Sequence, residues 1–299
     1  MRRKFYTLDV FTETALAGNA LAVVLDCDGL DDRRMQAIAR EFNLAETVFV
    51  LEPRDPVNTA RLRIFTPGRE LTFAGHPTVG TAVLLAELRA PELLARQDLR
   101  VVVEEGVGDI VCVARHRPNQ APAAYFTLPK LPEPIGEAPS VEDLARLLGL
   151  EPAEIGFGAH RPTAYSAGTP FNFVPIASRA ALAKLRPSTN AWGENGAPAL
   201  YLYTSEAERE GSNFRARMFA AGWGIVEDPA TGSAAAAFAG VLMRFEPAPD
   251  GETTYVIEQG FEMGRPSLIS LGLEVEGGVL RAATIGGSAV IISQGTINA

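Results

Sequence analysis

Phe73-Ala74-Gly75-His76-Pro77-Thr78-Val79-Gly80-Thr81-Ala82 and Glu227-Asp228-Pro229-Ala230-Thr231-Gly232-Ser233-Ala234-Ala235-Ala236 are two versions of one phrase. Each sets a Gly beside a polar residue at the head of a run of small and apolar residues. Such a head leaves backbone N–H groups without intrahelical partners and turns the positive end of the helix dipole toward them. Two heads of this kind predict a grip on one anion from two sides, and a carboxylate-bearing small molecule is the expected guest.

The runs behind the phrases are apolar nearly all round: Val79, Ala82, Val83, Leu84, Leu85 and Ala86 in one, Ala234 to Val241 in the other. A helix of that composition is buried. Pro77 fits the first turn, where its missing N–H has no partner to lose. The predicted helices run from about Pro77 to Leu88 and from about Gly232 to Phe245.

Around them the pattern alternates. Strands are expected at Phe5–Val10, Ala20–Leu25, Thr47–Leu51 and Arg61–Phe65, with a hairpin from Leu99–Glu104 and Asp109–Ala114. Met35, Ile38, Ala39 and Phe42 share one face of a helix over Asp31–Phe42. Prolines 118, 122, 129, 132, 134 and 139 then break regular structure, which marks a domain boundary. Beyond it the theme returns: a helix after the cap-like Ser140, another over Arg179–Leu185, and strands at Ala199–Thr204, Asn213–Phe219, Thr254–Gln259, Leu268–Glu276 and Ala289–Ile292. The reading is a duplication at domain scale. Residues 1–120 form one domain, to which a strand at about 284–299 returns, and residues 121–283 form the other. The fold class expected is α+β, two pseudo-symmetric domains that each wrap a mostly antiparallel sheet or barrel around a central helix. The helix heads are expected to face a cleft between domains.

With 299 residues and a formal net charge of −9, the chain is not expected to bind nucleic acid, which usually calls for a basic face. Two cysteines, Cys27 and Cys112, have no metal-type or disulfide spacing, and buried inert thiols in a reducing cytoplasm are expected. Met1-Arg2-Arg3-Lys4 leads into a strand rather than a signal peptide, and Ala234–Met243 is too short to span a bilayer. Neither metal nor nucleotide cofactor is expected, nor a membrane partner.

Of three histidines, His116 and His160 fall in Arg- and Pro-rich stretches that read as surface. His76, at a buried helix head, suits proton transfer or an anion, or simply a cap. Asp228 and Ser233 read singly as caps; paired with His76 on the mirrored helix they read as a shared site. Glu46 alone would pass for a solvated loop carboxylate.

The order of the motifs resembles the PhzF family, the phenazine-biosynthesis isomerases and their relatives. The resemblance rests on Phe11 with Gly18-Asn19-Ala20-Leu21-Ala22-Val23-Val24, on Ala45-Glu46-Thr47-Val48-Phe49, on Phe65-Thr66-Pro67 with Glu70, on both helix phrases, and on Gln259-Gly260 with Gly264-Arg265-Pro266-Ser267. It implies the diaminopimelate-epimerase-like fold, a homodimer, and a cofactor-independent proton shift on a small carboxylate-bearing cyclic or unsaturated substrate. It makes Glu46 the acid/base, gives His76, Asp228 and Ser233 supporting catalytic roles, and assigns Asn19, Gly75 and Gly232 to substrate binding. Ala74 and Thr231 stand where epimerases and racemases of this fold carry opposed thiols, so a two-thiol racemase is not expected. Ala45 and Ala20 replace the Ser and Pro common in the family, which counts against the phenazine precursor as substrate. The competing readings are a binding module without turnover and a racemase that uses no thiol.

Overall fold

The two apolar helices set the position of everything around them. A computed structural model describes residues 2–186, 199–223 and 225–299. The chain divides into two compact units, residues 1–129 with 286–299, and residues 130–285.

The first unit holds strands β1 (Arg2–Val10), β2 (Asn19–Val24), β3 (Glu46–Leu51), β4 (Ala60–Phe65), β5 (Glu70–Leu71), β6 (Leu99–Glu105), β7 (Gly108–Arg115) and β8 (Ala123–Thr127), with helices α1 (Asp32–Phe42), α2 (Gly75–Arg89) and the single turn α3 (Pro91–Leu94). The second holds β9 (Glu133–Pro134), β10 (Thr163–Ser166), β11 (Pro170–Pro175), β12 (Ala199–Thr204), β13 (Phe214–Ala220), β14 (Ile225–Asp228), β15 (Gly251–Gln259) and β16 (Ser267–Glu276), with helices α4 (Val141–Leu148), α5 (Arg179–Lys184) and α6 (Gly232–Phe245). Strand β17 (Val279–Asn298) ends the chain, and its residues from Gly286 onward belong to the first unit.

The pairings repeat. In the first unit β1–β2 is antiparallel, β2–β3 parallel, β3–β4 antiparallel, β4–β6 parallel and β6–β7 antiparallel. In the second, β10–β11, β11–β12, β12–β13, β13–β15 and β15–β16 follow the same sequence of directions. The central helix sits at the same place in both series, after β5 and after β14. The fold is thus α+β and pseudo-symmetric, with two parallel pairings in each otherwise antiparallel sheet. In the first unit β17 pairs with both β1 and β8 and closes the sheet into a barrel.

Burial follows composition. Every residue of α2 from Gly75 to Ala86 is buried, as are Gly232 and Ala234 to Leu242 of α6. Gly80 lets α2 lie against the barrel wall: a Cβ there would stand 2.6 Å from Val10 Cγ2 and 2.7 Å from Leu21 Cδ2. Outside the barrel, α1 starts where the Asp31 carboxylate accepts from the Arg34 N–H and ends at left-handed Asn43. Its buried Met35, Ile38 and Ala39 pack with Phe49, Leu51 and Phe65. The same construction recurs at α4, which Ser140 caps and left-handed Gly149 stops.

Three readings are corrected. The last strand spans Val279–Asn298, longer than either the expected Ala289–Ile292 or the returning stretch at about 284–299, its pattern broken by Gly286, Gly287, Ser288, Ser293 and Gly295. Strands β10 and β11 have no counterpart among the expected strands, because Gly168-Thr169-Pro170 interrupts their alternation. His160 is buried, at 4% exposure, rather than on the surface. Its Nδ1 meets the Tyr203 hydroxyl at 2.9 Å and its ring stacks on Phe157. His116 is exposed.

Candidate active site

In the first unit, Glu46 opens β3 and lies across the parallel register from Leu21 on β2. His76 is the second residue of α2. The helix packs against β2, and so the ring reaches the backbone of Ala20, beside the buried Asn19. His76 Nε2 and Glu46 Oε2 are 3.2 Å apart, with side-chain exposures of 6% and 13%. The oxygen lies off the direction of a hydrogen placed on Nε2, a misalignment common in active sites without substrate.

Burial pushes the His76 pKa down to about 3, against the opposing pull of the Ala20 carbonyl. The imidazole is therefore neutral near pH 7. Its Nδ1–H donates to Ala20, which leaves the Nε2 lone pair on the side of Glu46. A neutral imidazole beside a carboxyl group accommodates one mobile proton between them.

The first turn of α2 has no side-chain cap, and its extended N-cap residue is Ala74. The Thr78 N–H returns to the Ala74 carbonyl. Pro77 has no N–H, so Gly75 and His76 present the open backbone donors of this helix head.

The second unit builds the equivalent place differently. Glu227, one residue before Asp228, forms a two-point pair with Arg217, at 2.8 Å and 2.9 Å. Arg217 is buried and also donates to the carbonyls of Leu182 and Leu185. This fixes β14 and hence Asp228, whose carboxylate accepts from the Thr231 hydroxyl at 2.5 Å. Gln259, fully buried at the end of β15, closes the arrangement. Its amide donates to the Asp228 carbonyl at 2.8 Å and to the Thr231 hydroxyl at 2.9 Å, and its oxygen accepts from the Thr231 N–H at 3.1 Å. Gly232 then begins α6, with Ser233 partly exposed one residue in.

Asn19, Glu46, Gly75 and His76 thus gather in the first unit, and Asp228, Gly232 and Ser233 in the second. Gln259 was legible only as part of a motif. Its signal was the Gly after it, which at φ +77° brings the chain to within 2.6 Å of the Pro229 oxygen for a notional Cβ. Burial pushes both thiols, Cys27 and Cys112, up to about 12, and neither stands at a helix head. Among the described residues, no three His, Cys, Asp or Glu gather closely enough to hold a metal ion, and no helix is long and apolar enough to cross a membrane.

Comparison with known proteins identifies the family of the chain. Residues 8–295 match the family model of phenazine biosynthesis-like proteins, PhzC-PhzF. An uncharacterized isomerase of Mesorhizobium japonicum is 48% identical, with 99% of this chain and 98% of the relative covered. The trans-2,3-dihydro-3-hydroxyanthranilate isomerase of Pseudomonas aeruginosa is 34% identical, with 98% of each covered. The crystal structure of a PhzF-family phenazine biosynthesis protein of Bacillus anthracis superposes with a TM-score of 0.88 at 26% identity, covering 100% of both chains. The chain belongs to the PhzF family of phenazine biosynthesis-like proteins.

Proposed function

We propose that this protein is an isomerase that moves a proton within a small carboxylate-bearing cyclic or unsaturated substrate, with Glu46 as the acid/base and no cofactor. The observation that carries the reading is the Glu46–His76 pair, 3.2 Å apart and nearly excluded from water at the head of α2. The relatives named as isomerases support it.

In this reading Glu46 removes a proton beside the unsaturated system and returns it elsewhere, while the Nε2 lone pair of neutral His76 accepts a hydrogen bond from Glu46 when the carboxyl carries that proton. The open N–H groups at Gly75 suit the substrate carboxylate, as do those at Gly232 in the second unit, and a helix dipole favours the charge that develops as the proton leaves. Asn19 helps to seat the substrate. Asp228 and Ser233 orient its polar groups. Because Ala74 and Thr231 occupy the thiol positions of the fold's racemases, one carboxylate does the work that two thiols do there. A homodimer in the cytoplasm accords with the family.

The test is proton NMR in deuterated water with trans-2,3-dihydro-3-hydroxyanthranilate and a panel of related small carboxylates. Wild type is expected to migrate a double bond or admit deuterium in one member, and Glu46→Gln to do neither. Turnover undiminished in Glu46→Gln would sink the reading. Saturable binding of a panel member with no exchange would favour a binding module.

A further inference from the structure

Behind the head of α2 lies a carboxyl group that the proposed reaction does not use. Glu105 ends β6 and is buried. Its Oε1 stands 2.7 Å from the Thr78 hydroxyl, and the same hydroxyl stands 2.7 Å from the Ala74 carbonyl oxygen. Counting hydrogens decides what this chain of three oxygens holds. The carbonyl is only an acceptor, and the hydroxyl has a single hydrogen. Two contacts of this length need two hydrogens, so the second must come from Glu105. The order is Glu105 O–H to Thr78 O–H to Ala74 C=O. The other oxygen, Oε2, is buried with no hydrogen-bond partner. That is tolerable for the carbonyl of an acid and costly for a carboxylate.

The second unit supplies an internal comparison. Glu105-Gly106 ends the strand after α2, as Gln259-Gly260 ends the strand after α6. A Cβ on Gly106 would stand 2.9 Å from Thr72, and one on Gly260 2.6 Å from Pro229. Thr72 and Pro229 each lie three residues before the first residue of their helix. Glu105 and Gln259 therefore hold equivalent places, and Gln259 uses an N–H to donate to the helix head. A glutamic acid fills the same role only with its proton on.

We propose that Glu105 is a positioning residue, a carboxylic acid held protonated, which aims and polarises the Ala74–Gly75 peptide through the Thr78 hydroxyl. The carbonyl of that peptide accepts the relay and its N–H is the Gly75 donor. The inference rests on the reading of Gly75 as an anion-binding group for its functional meaning, but the relay is measurable without substrate. Ionisation of Glu105 would take the hydrogen of Thr78 for itself and release the Ala74 carbonyl.

The titratable surroundings leave the proton on Glu105. Burial pushes its pKa up to about 8. Cys112 on β7 faces it with a thiol pushed up to about 12, and His76 on α2 is neutral. Arg54, Arg61, Arg63, Glu70 and Glu104 line a groove beside it. Of these, Arg63 is engaged by Glu70 and Asp32, and Glu104 by the N–H groups of Arg54 and Asp55; none of the five hydrogen-bonds Glu105.

The experiment labels alanine at the carbonyl carbon and glycine at the amide nitrogen, which selects Ala–Gly peptides in an NMR spectrum. In wild type the Ala74–Gly75 peak is expected to step once, with a midpoint near pH 8. Glu105→Gln should abolish the step and leave the peak at its low-pH position. Thr78→Val should displace the peak at every pH and Thr78→Ser restore it. A side-chain carbon titration of Glu105 in wild type, which needs no variant, should give the same midpoint. With 3-hydroxyanthranilate as an unreactive probe, Glu105→Gln should bind within about two-fold of wild type, and Thr78→Val about ten-fold more weakly. A step that survives Glu105→Gln, or a Glu105 midpoint in the ordinary range near 4, overturns the proposal. Inactivity toward the isomerase panel with the step intact would instead fault the functional reading.

Discussion

The heads of α2 and α6 share a backbone and differ in what supports it. At α6, a neutral amide makes the direct contact: Gln259 satisfies Asp228 and Thr231 from a fully buried position, with the Arg217–Glu227 pair behind it. At α2, the supports are acids and a base: Glu46 with His76, and Glu105 with Thr78. In the proposed reading, duplication produced two ends suited to an anion, and proton chemistry belongs to one of them. An amide cannot carry a proton through a reaction, whereas a buried carboxyl can. The comparison therefore predicts unequal roles, with the first unit controlling rate and the second controlling binding.

That inequality is broken most directly by kinetics. Glu46→Gln is expected to lower kcat about 10²–10⁴-fold, the usual worth of a positioned acid/base. Ser233→Ala is expected to raise KM about ten-fold and leave kcat within about two-fold, as for a group that binds ground and transition states alike. Steady-state assays on whichever panel member turns over will show it. Equal losses of kcat in both variants would mean that the two heads share the proton work.

Stability separates the heads in the opposite sense. Gln259→Ala strands the Asp228 carbonyl, the Thr231 N–H and the Thr231 hydroxyl in a buried site, and it opens a cavity. The cost is about 2–4 kcal/mol, a fall of roughly 5–10 °C in the melting midpoint. Circular dichroism melts test it, and a drop of under a degree would show that the clamp is dispensable.

How much of this asymmetry was readable before the structure depended on what burial did to each residue. The helices were legible because Ala234 to Val241 and Val79 to Ala86 admit no solvated face. The pairing order was legible only as a duplication, since parallel partners such as β2 and β3 are separated by a helix and leave no local mark. Glu46 and His76 are thirty positions apart in sequence, and no spacing rule joins them. The family resemblance supplied that link, and the packing of α2 on β2 gives its physical basis. The expected strand stops at Glu104, one residue short of Glu105. Nothing in Val103-Glu104-Glu105-Gly106 tells that Glu104 is tied to backbone N–H groups while Glu105 turns inward to Thr78.

The pH dependence of folding sharpens the contrast between Glu105 and its counterpart Gln259. In the native state Glu105 keeps its proton up to about pH 8, whereas in the unfolded chain it loses it near pH 4. Below that lower value both states hold the proton and there is no difference. As pH rises between the two, only the unfolded chain releases it, so stability is lost until the native pKa is passed. Glu105→Gln removes this loss. Its free energy of unfolding should exceed that of wild type increasingly from pH 5 to pH 8, by an amount on the order of a few kcal/mol, and by a constant margin above. Parallel curves for the two proteins would mean that Glu105 is ionised in the fold.

The smallest effect is expected at the thiols, and it tests whether the chemistry of this fold has moved from sulfur to carboxylate. Cys27 and Cys112 are fully buried, with thiols pushed up to about 12 by desolvation. A thiolate is the reactive form, and at pH 7.5 almost none exists at such a pKa. Iodoacetamide is therefore expected to leave both cysteines unmodified in the native protein and to leave turnover unchanged, as intact mass and assay would report together. Alkylation that removes activity, and is prevented by 3-hydroxyanthranilate, would place a thiol in the reaction.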